Sequence, residues 1–259
     1  MPSAPLIITF SSEAFLPLLD PWTAGVKALG LGRIRVYGLD AATLAWCEGH
    51  GIDTRPLPWS GTRSDLWQAR LRVFCRLLAD GEEFIHSDAD AIWVRNPLVE
   101  GSARDLRDDL VFSQGTYWPP DVHERLGFEL CCGWFWARPT DEARAFFRAV
   151  EDDARTSRND QVSLNRVLAA RGARWSRGES DYDLPVGERL FRCWREPIRA
   201  TLDTSSLTVA MLPHREFQRI PEAYEGVIVR HFLAPPGSRD RVQARRDLGA
   251  FDRDGQGGG

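Results

Sequence analysis

The N-terminal segment switches twice between strand-like and helix-like periodicity, and this alternation restricts the fold more than any other feature of the chain. Leu6-Ile7-Ile8-Thr9-Phe10 is an apolar run ending on Ser11-Ser12, which reads as a buried strand. Residues 13–30 read as a helical connection, interrupted around Asp20-Pro21. Ile34 to Leu39 forms a second strand, and Ala41 to His50 a second helix closed by Gly51. Strand, helix and strand in succession predict an α/β fold with a mostly parallel central sheet and helices on both faces. The chain has 259 residues. Residues 1–251 are expected to form one domain, and the polar, Gly-rich stretch 252–259 a disordered tail.

Thr62 to Gly81 carries the clearest helical pattern. Thr62 and Asp65 have capping-box spacing, Leu66, Trp67, Leu71, Phe74, Leu77 and Leu78 form an apolar face, and Gly81 supplies the stop. Phe84-Ile85 is then a short strand running into His86-Ser87-Asp88-Ala89-Asp90. Leu110–Ser113 and Leu130–Ala137 read as strands, and Asp141–Ser157 and Asp160–Arg171 as helices. Residues 173–226, broken by several prolines, read as irregular; Val227-Ile228-Val229 is a late strand leading to His231.

Composition narrows the function classes. A hydrophobic fraction of 43% and a charged fraction of 27% are those of an ordinary globular protein. A net charge of −4 and a pI near 5.8 argue against a nucleic-acid or anionic-membrane binder. Lys27 is the only lysine, so a bound phosphate would be gripped by arginine, metal or backbone N–H. The N-terminus has no basic segment followed by an apolar one, and no run is long enough for a membrane span; a cytoplasmic protein is expected. The five cysteines are odd in number and form no CxxC pair, so buried thiols are expected rather than zinc ligands or disulfides.

Asp88 and Asp90 are two residues apart, and in extended backbone such residues project to the same side. Two carboxylates beyond a strand end make a hard oxygen site for Mn²⁺ or Mg²⁺. Strand ends are also where open α/β sheets bind ligands. Asp-x-Asp by itself also arises in solvated acidic turns.

The surrounding sequence is more specific. The run Phe84-Ile85-His86-Ser87-Asp88-Ala89-Asp90-Ala91-Ile92-Trp93-Val94-Arg95-Asn96-Pro97 resembles the signature of nucleotide-diphospho-sugar transferases with the GT-A fold. Upstream, Arg70, Leu77-Leu78 and Gly81 fit the same pattern. Downstream, Cys132-Gly133-Trp134-Phe135-Trp136-Ala137-Arg138-Pro139-Thr140 and Asn159-Asp160-Gln161…Asn165 resemble two further blocks. Many relatives have Asn and Ser or Thr where this chain has Cys131-Cys132, although a close backbone approach at Gly133 survives that change. The resemblance implies a metal-dependent transfer of sugar from a nucleoside-diphosphate sugar to a glycan, lipid or protein acceptor, with a retaining outcome. It implies a metal site of Asp88, Asp90 and His231. It implies donor contacts from Thr9, Ser11, Arg70, Asp88 and Gly133, and from Arg239 in a segment similar to the family's Gly-x-Lys. It places Asp160 and Gln161 at the transferred sugar.

Each residue also has a plainer reading. Arg70 could form a helix-surface ion pair with Glu82 or Glu83, Asp160 could be a helix N-cap, and His231 could sit at a strand end without a ligand. Trp134 and Trp136 share a strand face and read as core, while Trp118 in a Pro-rich loop could carry a sugar ring. His86 and His123 read as structural. Two other functions fit parts of the chain: a phosphatase of the haloacid dehalogenase type, which also uses Asp-x-Asp after a strand, and a non-catalytic carbohydrate-binding protein, suggested by ten tryptophans.

Overall fold

A computed structural model describes residues 4–176, 181–186 and 188–231. β1 (Leu6–Ser11), β2 (Ile34–Gly38) and β3 (Asp53–Pro56) lie parallel, linked by α1 (Leu16–Ala28) and α2 (Ala41–Gly49). α3 (Arg63–Ala79) crosses to β4 (Phe84–Ser87), which pairs in parallel with the other side of β1. After β5 (Ile92–Trp93) come β6 (Leu110–Gln114), α4 (Pro120–Leu126) and β7 (Leu130–Ala137), then α5 (Asp141–Ser157) and α6 (Asp160–Ala170). The chain continues through β8 (Arg174–Ser176), β9 (Asp181–Val186), β10 (Arg189–Trp194), β11 (Ile198–Leu202), β12 (Ser205–Met211), β13 (Phe217–Gln218) and β14 (Val229–Arg230).

Nine strands form the central sheet in the order β3-β2-β1-β4-β7-β6-β12-β11-β8. Following the pairings across it, only β7 and β11 run against the rest, so the sheet is mostly parallel in strand direction. Its two faces bury separate cores. One packs Leu71, Phe74, Phe146, Phe147 and Leu164 of α3, α5 and α6 on Ile8, Phe84, Phe112 and Phe135. The other packs Leu19, Trp22 and Val26 of α1 on Ile7, Val36, Ile85, Trp134 and Trp136. Trp134 and Trp136 are therefore core. Among the described residues no helix is long and apolar enough to cross a membrane.

Two expectations fail. α1 runs through Pro21 without a break, because the helix seals Leu18, Leu19, Trp22 and Val26 against the sheet and that burial outweighs one missing backbone hydrogen bond. Residues 173–226 are not irregular: they supply β8 to β13. Ile198–Leu202 alternates buried and exposed residues, a period-two pattern that the neighbouring prolines obscure.

Candidate functional site

The site lies where β1 and β4 end beside the N-terminal half of the antiparallel β7. Ile8 pairs with His86 in parallel register, and Ser87 with Trp134 in antiparallel register, so the ends of β1 and β4 are neighbours as their sequences predict. The Asp88 backbone N–H continues this ladder by donating to the Gly133 carbonyl at 2.8 Å. Ser87 stiffens the turn, because its hydroxyl accepts from the indoles of Trp22 and Trp93 at 3.1 and 3.0 Å.

A small second sheet delivers His231. β14 pairs antiparallel with β5, matching Arg230 with Ile92 and Val229 with Trp93. Since β5 begins two residues after Asp90, the residue that follows β14 meets the acidic turn. His231 Nε2 lies 3.0 Å from Asp90 Oδ1 and 3.7 Å from Asp88 Oδ2. One ligand atom from each of Asp88, Asp90 and His231 falls within 4.8 Å of the others. Two carboxylate oxygens and an imidazole suit a borderline-hard divalent cation. Gly133 forms the floor: a Cβ there would lie 2.0 Å from His231 Cε1 and 2.9 Å from Asp88 Oδ2, so any side chain would fill the space beside the cluster. Cys131 contacts the His231 ring, and Arg219 Nη1 donates to the His231 backbone carbonyl at 2.7 Å. Burial would raise the Cys131 thiol, but Arg219 and His231 bring it down to about 7.

Arg70 does not pair with Glu82 or Glu83, which hold Arg33 and Arg138 instead. It projects from α3 into the interior and joins the two halves of the site. Nη1 lies 3.2 Å from Asp88 Oδ1, Nε 3.4 Å from Asp160 Oδ2, and Nη2 donates to the Cys132 carbonyl at 3.2 Å. Nη2 also donates to His86 Nε2 at 2.8 Å. A guanidinium only donates, so His86 Nε2 must accept and the ring is neutral; its 3.2 Å contact with Asp88 Oδ1 then carries no proton. Burial and Arg70 both drive the His86 pKa down to about 4. Burial alone would raise the Asp88 carboxyl, but Arg70 overcomes it and holds the group well below the usual range. Asp88 thus turns Oδ1 to Arg70 and Oδ2 to the His231 side. His86 is a site residue that its sequence position leaves looking structural. The extended backbone expected through Asp90 stops at Ser87: the Ala91 N–H donates to the Asp88 carbonyl at 3.0 Å, so Asp88 and Asp90 are brought together by a turn rather than by strand alternation.

Asp160 is not the helix cap. Asn159 is, accepting from Val162 N–H at 2.9 Å, and Asp160 occupies the first turn of α6. Burial pushes the Asp160 carboxyl above the usual range; Arg70 opposes this and Asp88 adds to it. Gln161 spans two segments, its Oε1 accepting from Cys132 N–H at 3.3 Å and its Nε2 donating to the Trp118 carbonyl at 2.7 Å. Asn165 clasps β7 by accepting from Leu130 N–H at 2.8 Å and donating to Leu130 O at 2.9 Å.

A cavity of about 430 Å³ opens beside Asp88 and Asp90, walled by Ser11, Trp59, Arg63, Trp67 and Arg70. The volume is in the range of small-ligand sites. Ser11 reaches this cavity. Thr9 does not: it is fully buried and takes no part in the cavity wall. The segment Gly237-Ser238-Arg239 and the tail 252–259 lie outside the described residues.

Comparisons with known proteins agree with this geometry. A family model described as nucleotide-diphospho-sugar transferase matches residues 38–244. The arabinosyltransferase XEG113 of Arabidopsis thaliana is 24% identical over 155 residues, covering 54% of this chain; the chain spans only 24% of that relative's length. Among solved structures, the galactosyltransferase LgtC, in complex with donor and acceptor sugar analogues, superposes with a TM-score of 0.54 at 15% identity, over 95% of this chain and 94% of its own. An active-site variant of LgtC gives 0.50 at 14% identity, over 94% and 95%. At such identities the likeness establishes the GT-A fold alone. The family match runs through the acidic turn, the Gly133 strand and the start of α6, and on that extent the chain belongs to the nucleotide-diphospho-sugar transferase family.

Proposed function

We propose that the protein moves a sugar from a nucleoside-diphosphate sugar, with a UDP or GDP leaving group, to a hydroxyl of a glycan, lipid or protein acceptor, with retention at the anomeric centre. The observation that carries this reading is the Asp88, Asp90 and His231 cluster at the mouth of a nucleotide-sized cavity. Mn²⁺ or Mg²⁺ would be held by those three residues, where a divalent cation neutralises charge on a departing diphosphate. Ser11 would meet the nucleoside. Arg70 and Gly133 would border the donor, and Arg239 would assist at the diphosphate. The five free cysteines suit a reducing compartment such as the cytoplasm.

Asp160 would act at the transferred sugar, together with Gln161. Its carboxylate shares Arg70 with Asp88, so the negative charge beside the anomeric carbon and the charge beside the diphosphate are coupled through one guanidinium. A carboxylate so placed favours positive charge developing in the transition state. It could equally hold the acceptor hydroxyl in line.

The reading is tested by nucleoside diphosphate release from UDP- and GDP-sugars in Mn²⁺, with a thermal-shift panel of the same nucleotides alongside. Release from none of them, with no shift, overturns it. In the same assay Asp160→Asn is expected to lower kcat by about a hundredfold or more while UDP or GDP affinity stays within about twofold of wild type. Asn159 still provides the cap, so the expected stability loss is that of unpairing Arg70 from Asp160 alone, and it should be smaller than the roughly 3–5 kcal/mol of a broken buried pair because Asp88 still balances Arg70. Wild-type turnover at saturating substrates would remove Asp160 from the transfer step.

A further inference from the structure

Trp118 is the only aromatic among the large apolar side chains that stand exposed in the described residues, at 55% exposure. Its loop is nevertheless firmly held. The preceding Tyr117 turns inward, edge-on to His123 at 5.0 Å and to Phe191 at 5.7 Å. The Trp118 carbonyl accepts from Gln161 Nε2 at 2.7 Å, and the following helix α4 is tied to α6 by Asp121 and Arg166 at 3.1 Å. The tether thus starts from the residue adjoining Asp160. Trp118 takes no part in lining the donor cavity, whose walls come from the end of β1, from residues 59–70 and from the acidic turn. The backbone of Trp118 is thus tethered to the residue next to Asp160, while its exposed indole stands off the donor cavity.

From this placement we propose that Trp118 is the platform of the acceptor subsite, and that the acceptor is a glycan whose terminal sugar lays an apolar C–H face on the indole. The proposal rests on the transferase reading and commits it to a carbohydrate acceptor. An indole suits the role because it offers a large apolar face at little entropic cost, with only two side-chain torsions to fix. The anchored backbone removes the further cost of ordering the loop.

The test uses saturation-transfer NMR with three probes, methyl β-glucoside, methyl β-galactoside and methyl β-arabinofuranoside, each in the presence of UDP and the diamagnetic Mg²⁺. Wild-type protein is expected to saturate the ring protons of at least one. Trp118→Ala should weaken that glycoside's Kd by about tenfold, and Trp118→Phe should recover most of the loss. Equal affinity in Trp118→Ala, or no saturation of any probe by the wild type, overturns the platform. Nucleoside diphosphate release from nucleotide sugars by the wild type, measured separately, tests the transferase reading. If release occurs while the glycosides behave alike in both proteins, only the platform is lost.

Discussion

Asp90→Asn is expected to reduce turnover at least a hundredfold, roughly the loss of the several kcal/mol that a divalent cation supplies at a departing phosphate. Asn keeps the shape of Asp90 and a polar atom for His231, which lies 3.0 Å from Asp90 Oδ1. The fold should therefore persist, and in chelator-treated buffer melting should change little or rise, because one of two clustered carboxylates has been removed. The diagnostic is the response to metal. Wild-type protein should gain about 2.7 kcal/mol of apparent stability at a hundredfold excess over Kd, and the variant should gain much less. Full activity of Asp90→Asn in chelator-treated buffer would exclude the metal centre.

The second large effect is at Arg70. Replacing it with Met leaves Asp88 and Asp160 without the cation between them, and breaking a buried ionic network from one side costs about 3–5 kcal/mol. Asp88 keeps some solvent, with 29% of its side chain exposed, but Asp160 keeps only 5%, so most of the penalty falls on Asp160. Denaturant titration should show a lower midpoint, and kcat should collapse. Arg70→Lys should recover part of the stability and little of the kcat, because an ammonium cannot reach Asp88, Asp160, His86 and the Cys132 carbonyl together. A Met variant within about 1 kcal/mol of wild type would mean that the carboxylates need no shared cation.

The parts of the site that could be read in the sequence are those set by short-range periodicity. The cap at Thr62 and the stop at Gly81 follow from local geometry and stand as expected, whereas Asp88 and Asp90 meet through a turn and not through the extended backbone their spacing suggests. Even the Thr62 cap is only half of a capping box, since Asp65 accepts from Ser60 N–H rather than Thr62 N–H. The junction through Arg70 was not legible, because nothing local distinguishes an arginine that reaches Asp160 from one on the helix surface. His231 was suggested by family resemblance, while its delivery depends on β5 and β14, strands of two residues each and too short to announce themselves. Thr9 shows the opposite failure: it shares a face of β1 with Ser11, but it lies one repeat further from the strand end and is fully buried.

The Asn165 clasp on Leu130 bears on how such a chain can diverge. Because α6 is fastened to β7 directly, the position of Asp160 is set by the sheet as well as by α5, whose Asp153 accepts from Ser163 at 2.6 Å. Substitutions along the 17 residues of α5 alter how well the layer is filled. A substitution at Asn165 would shift Asp160 while leaving that layer intact. Lineages could thus vary the exposed face of α5, provided that its buried Phe146 and Phe147 and that one amide are kept.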